Sequence, residues 1–258
     1  MLNYKHPLWA HSKRVRYFFH VVFHSRFSFW ENRAKWLKFI DGKTIAVVGP
    51  GALSNDKSSE VEEHDIVIRV GYHHWPWPNT GSRTDVWLLD WEYSKLVLRE
   101  GQTLGASDAS WLLLGWPGKN HLKTSAIRET KGMRFTRIPL SNPKIWALGR
   151  GKYNQVTQAI MELYFLRPKY VTVFGVDFFT TQGSPYDPNS KDFDLAVDSF
   201  HKYKKTKLWR HHNQLHQKKI AAEIQQRKKF FVGDEQYKAL IETPDHEFLQ
   251  YYSDWKIK

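Results

Sequence analysis

The stretch Thr44-Ile45-Ala46-Val47-Val48-Gly49-Pro50-Gly51-Ala52-Leu53-Ser54 decides the fold. Ile45 to Val48 are apolar on both faces and run straight into a glycine turn, as a strand buried in a parallel sheet does. Short apolar runs recur at 65–70, 84–89, 110–114, 135–138 and 170–174, and helix-compatible stretches lie at 92–100, 154–166 and 212–227. This alternation predicts a Rossmann-like, doubly wound, mostly parallel α/β domain. The domain is expected to occupy 43–258, its regular elements reaching to about 240. Residues 1–42 form a basic, aromatic helical extension. Ligands of such sheets sit beyond the carboxyl ends of the strands, so the loops after Val48, Val70, Leu89 and Phe174 are where chemistry is expected.

The 258 residues include no cysteine, which excludes disulfide scaffolds, thiolate metal sites and cysteine nucleophiles. A composition 41% hydrophobic and 16% aromatic belongs to a globular chain. The net charge of +13 is concentrated near the start. Within the first 43 residues stand Lys5, Lys13, Arg14, Arg16, Arg26, Arg33, Lys35, Lys38 and Lys43, against only Glu31 and Asp41. Trp9, Tyr17, Phe18, Phe19, Val22, Phe23, Phe27, Phe29, Trp30, Trp36 and Phe39 interleave with them. That mixture suits a helix on an anionic membrane surface; it equally suits helices packed on the core with a solvated basic face. No apolar run approaches the roughly 20 residues of a membrane span, and no signal-peptide pattern is present. A cytoplasmic protein, peripheral on the inner face of the membrane, is expected.

Gly49, Pro50 and Gly51 permit close approach of backbone to a phosphate or sugar, with amides of this turn and of the next turn as donors, although two glycines after a strand are also simply a tight turn. The third glycine of a dinucleotide fingerprint and the Gly-Lys-Ser/Thr of a P-loop are missing. After the run ending at Phe174 come Gly175-Val176-Asp177, whose carboxylate suits either a sugar hydroxyl or a helix cap, and then Tyr186 at a loop tip. Arg210-His211-His212-Asn213 opens a helix with Leu215, Ile220, Ala221 and Ile224 on a core face. The positive end of that helix favours a neutral imidazole, a base suited to deprotonating an alcohol. A metal reading of His211, His212 and His216 lacks a glutamate and a third ligand, and Asp192-Phe193-Asp194 reads as a solvated loop, so no metal is expected.

Three segments together resemble the large sialyl motif of the sialyltransferases. They are Ala46-Val47-Val48-Gly49-Pro50-Gly51, then Glu60-Val61-Glu62-Glu63-His64-Asp65-Ile66-Val67-Ile68-Arg69-Val70, then Thr80-Gly81-Ser82-Arg83-Thr84-Asp85-Val86. Ala159-Ile160-Met161-Glu162-Leu163 with Tyr170-Val171-Thr172-Val173-Phe174-Gly175-Val176-Asp177-Phe178-Phe179 is similar to the small motif, nearest to the bacterial lipooligosaccharide enzymes. The resemblance implies a sialyltransferase-type variant of the GT-A fold. It implies a CMP-activated nonulosonic sugar as donor, a glycan or lipid-linked glycan as acceptor, inversion, and neither cofactor nor metal. A CMP-Kdo-dependent transferase of the same fold is the alternative.

The family's catalytic histidine maps to His212, with His211 competing, and its phosphate-steadying tyrosine to Tyr186. Gly49, Pro50, Gly51, Arg69, Gly71, Asn154, Thr157, Gly175 and Asp177 map to the nucleotide-sugar site, with Arg69 or Arg150 meeting the leaving phosphate. The sequence departs from the family at Pro50 and Gly71, where asparagines are usual, and at Phe179, where a tyrosine is. A basic nucleic-acid-binding protein is the rival of another class. The charge suits it, but no recognised motif supports it and nucleic acid is not expected as a partner. Self-association is left open.

Overall fold

A computed structural model describes residues 31–51, 53–71, 79–89, 109–114, 134–137, 154–178 and 214–253. Helix α1 (31–40) leads into β1 (Thr44–Val48), followed by α2 (Ser58–Glu62), β2 (Ile66–Val70), β3 (Val86–Leu89), β4 (Trp111–Leu114) and β5 (Arg134–Arg137). Helix α3 (Gln155–Tyr164), β6 (Tyr170–Phe174), α4 (Gln214–Arg227), β7 (Phe231–Gly233), α5 (Glu235–Glu242) and α6 (Asp245–Ser253) complete the described chain. The seven strands form one sheet in the order β5-β4-β3-β2-β1-β6-β7, and every pairing is parallel.

The order follows from the strands' own composition. β1 lies between β2 and β6 in the register Ile45 with Ile66 and Val171, and its residues from Ile45 onward are buried. A strand covered on both faces needs no polar side, and β1 and β2 have almost none. Ile45, Val47, Ile66, Ile68, Val86, Leu88, Val171 and Val173 point to one face, which α1, α3 and α4 cover through Trp36, Ile40, Ile160, Leu163, Ile220 and Ile224. Ala46, Val48, Val67 and Phe174 point to the other, beneath Leu53 and Val61 of the α2 segment. The covering elements change face because the chain changes direction. β1 to β2 moves one way along the sheet with α2 on one face, whereas β6 to β7 moves the other way with α4 on the opposite face. Right-handed crossovers demand that alternation, so the chain is doubly wound about a point between β1 and β6.

Residues 31–40, expected within the separate extension, pack on the core. Trp36 is fully buried, with its ring centroid 5.4 Å from that of Trp111, and Phe39 lies 5.6 Å from the same ring. Of the two readings of the N-terminal segment, the packed one holds for these ten residues. Residues 1–30 lie outside the described chain, as does the helix expected at 92–100. Among the described residues no helix is long and apolar enough to cross a membrane.

Candidate functional site

The strand order reverses between β1 and β6, and there the two glycine-bearing loops lock together. Gly49 N–H donates to Phe174 O at 2.8 Å, and Gly51 N–H donates to Gly175 O at 2.7 Å. A Cβ on Gly49 would stand 2.6 Å from Gly175 O, one on Gly51 2.7 Å from the same oxygen, and one on Gly175 2.7 Å from Gly51 O. Gly175 also has φ +59°, a left-handed conformation natural to glycine. All three positions therefore exclude a side chain.

This arrangement corrects the free-amide reading of the turn. The amides of Gly49 and Gly51 are committed to β6 and the loop after it, and Pro50 has none, so these three residues supply no donors to a phosphate. They provide shape, bringing Asp177 over the turn: its Cγ would lie 3.4 Å from a Cβ on Gly51. Asp177 is 8% exposed.

A residue not singled out in the sequence, Asp234, braces this junction from behind. Its Oδ2 accepts from Gly175 N–H at 2.7 Å, and its Oδ1 accepts from Tyr237 N–H at 2.7 Å, capping α5. Burial raises its pKa, against the lowering influence of these backbone donors. An Asp directly before an amphipathic helical stretch is a capping signature that was there to be read. Next to it Phe178 takes φ +51° and stacks on Tyr237 at 5.9 Å.

The amino ends of α3 and α4 meet on the same side of the sheet. Asn154 Oδ1 caps α3 by accepting from Thr157 N–H at 2.8 Å. Gln217 Oε1 of α4 accepts from Asn154 N–H at 2.8 Å and from the Thr157 hydroxyl at 3.0 Å. Thr157 is thereby buried in a helix–helix contact. In the chain, α4 begins two residues after His212. His211, His212, Tyr186, Arg150 and Asp192–Asp194 lie outside the described residues.

Arg69 is the second correction. It was expected near the leaving phosphate, yet it is 0% exposed and aims its guanidinium at the loop following β2. Nε donates to Arg83 O, NH1 to the Thr80 hydroxyl, and NH2 to Thr80 O and Gly81 O, all within 2.7–2.9 Å. Burial pulls its pKa down to about 10, with the Glu62 carboxylate opposing, so it stays charged at neutral pH. Gly71, at φ +103°, is held between strands: its amide donates to Leu88 O and its carbonyl accepts from the Trp87 indole at 2.6 Å.

Other polar residues of the first motif are framework too. Arg83 donates to the carbonyls of Glu62, His64 and Asp65 past the end of α2. Asp85 Oδ2 accepts from Val67 N–H at 2.8 Å. The His64 Nδ1 meets Glu60 O, which only accepts, so Nδ1 carries the proton; Nε2 lies 2.8 Å from the Thr172 hydroxyl. Among the described residues no group of three or more His, Asp or Glu is placed to hold a metal ion. The chain matches no protein-family model and no curated protein.

Proposed function

We propose that the protein is an inverting glycosyltransferase of the GT-A type that moves a nonulosonic sugar from a CMP donor to a hydroxyl of a surface glycan. One observation carries this reading. The first segment of the large-motif likeness and the strand of the small-motif likeness lie on neighbouring strands, β1 and β6, and the loops that follow are hydrogen-bonded at the point where the strand order reverses. In open α/β sheets that point is where a ligand binds.

In this reading the Gly49–Gly51 and Gly175–Asp177 loops form the floor on which the nucleotide rests, and the Asp177 carboxylate accepts from a sugar hydroxyl. Neutral His212 takes the proton of the acceptor alcohol as it attacks the anomeric carbon, the C–O bond to phosphate breaks, and CMP departs with the bonding electrons. Because the turn's amides are committed, charge on the departing phosphate falls to Tyr186 and to cations other than Arg69. No divalent ion takes part. The acceptor is a bacterial surface polysaccharide or lipopolysaccharide, reached from the inner face of the membrane.

The test is calorimetry with CMP, followed by CMP release from CMP-sialic acid and CMP-Kdo in EDTA. Binding of CMP with release from one donor is expected. His212→Ala should slow turnover by about 10² to 10⁴ while CMP affinity is kept. Absence of CMP binding, or release that appears only when manganese is added, overturns the reading.

A further inference from the structure

The opposite end of the sheet gathers a group of cations. Three turns enter the strands there side by side: 41–43 before β1, 165–169 before β6, and 228–230 before β7. Backbone bonds stitch them together, with Gly42 N–H to Arg167 O, Lys169 N–H to Lys43 O, and Val171 N–H to Phe230 O. Lys43, Arg167, Lys169, Lys228 and Lys229 consequently share one edge.

Arg167, Lys169 and Lys229 are exposed and make no ion pair among the described residues. Two carboxylates share this edge: Asp41 in the first turn, and Asp65, which is held by the amide and hydroxyl of Thr44, meets Lys43 at 3.7 Å and feels the charge of Lys169, so the five cations remain in excess. Cations at the ends of α3 and α4 suit the helix dipoles, but one per helix would serve that purpose. The edge also exposes apolar surface beside its charges: Tyr170 is 37% exposed, and Leu37, one turn before 41–43, is 43% exposed.

We propose that this amino-terminal edge is a docking face for an anionic lipid bilayer. Lipid is favoured as the partner because the cations are interspersed with exposed aromatic and aliphatic side chains, the composition of an interfacial surface. The strands are about 16 Å long at roughly 3.3 Å per residue. Docking by this edge therefore holds the β1–β6 loops away from the bilayer, and a lipid-linked acceptor must present its reactive hydroxyl at a distance, on an outer sugar of a chain. The docking face is independent of the nucleotide reading; only the inference about the acceptor depends on it.

Flotation of the full chain with vesicles of phosphatidylcholine mixed with phosphatidylglycerol tests the proposal. The variant Arg167→Gln/Lys169→Gln/Lys229→Gln is compared with Lys57→Gln/Lys219→Gln/Lys238→Gln, which removes the same charge from other surfaces. At about fivefold per cation, the first should lose about a hundredfold in vesicle affinity and the second less than about fivefold. Thermal melting should be unchanged in the first, while the second gives up the surface pairs Lys57–Glu60 and Lys219–Asp245 and should melt slightly lower without unfolding at the assay temperature. Equal losses in the two variants would reduce the effect to net charge and overturn the docking face; no loss in the first would assign attachment to residues 1–30 alone and overturn it too. Tighter binding to a DNA duplex than to vesicles, lost in the same variant, would replace lipid with nucleic acid. Calorimetry with CMP is run in parallel: docking that persists without CMP binding upholds the surface and removes only the nucleotide reading.

Discussion

Gly49, Gly51 and Gly175 occupy space that the backbone across from them leaves to hydrogen alone. The obstructing atoms are main-chain oxygens, which cannot rotate away as a side chain does. Alanine at any of the three should cost about 1–3 kcal/mol by overpacking, with Gly175→Ala at the upper end because its φ of +59° adds strain. Gly42→Ala is the internal control: φ is +68° but nothing lies within 4 Å of its Cβ, so only the backbone strain of about 1 kcal/mol applies. Urea unfolding of the four variants checks the order, and a Gly49→Ala as stable as the parent would refute the locked junction. The strand before each glycine locates all three in the sequence, but the sequence alone leaves the amides of the Gly49–Gly51 turn open to a ligand. Which acceptor an amide meets depends on register between β1 and β6, and no local pattern carries that register.

At the scale of elements, the docking of α1 depends on one buried charge. Glu162 of α3, 1% exposed, accepts from the Arg33 guanidinium and from the Trp36 indole at 3.0 Å. Burial raises its pKa while Arg33 opposes the rise. Removing one partner strands the other, so Glu162→Ala should destabilise by about 3–5 kcal/mol, whereas Arg33→Met/Glu162→Leu should cost much less because no buried charge remains. Equal destabilisation of the single and double variants in urea would show that the pair itself, not an orphaned charge, holds the helix. The limits of β1 and β6 are legible in the sequence, since continuous apolar runs bounded by glycine and proline allow little else. Helix α1 was assigned to the extension because its cations masked a stripe of Trp36, Phe39 and Ile40. β7 was missed because three residues are too few to establish a period. Gln217, which ties α4 to α3, gives no local signal; a glutamine on a helix reads as solvated until the partner helix is known.

Across the whole molecule, the response to pH divides between carboxylates held below and carboxylates held above their ordinary values. At the amino-terminal end, Asp65 ties β2 to β1 through the amide and hydroxyl of Thr44, bonds that hold its pKa below the ordinary 3.8. A depressed carboxylate stabilises the fold above the ordinary value, and that stabilisation is lost as pH falls through the folded value. Asp56 and Asp245, lowered by Ser58 and by Lys219 with Lys218, act in the same direction. Glu162 in the core and Asp234 behind the β1–β6 loops have raised values and act oppositely. Their folded forms bind protons more readily than the unfolded chain, so their contribution is greatest at low pH and declines as pH rises through the folded values. The loss of stability below about pH 4 therefore belongs to the depressed set. Asp65→Asn keeps one oxygen as an acceptor for Thr44 but cannot titrate. Its urea midpoint should be lower than the parent's at neutral pH and should fall less steeply on acidification, so the two curves converge. Parallel curves would exclude Asp65 from the acid response and leave it to the other depressed carboxylates, Glu31, Asp56 and Asp245.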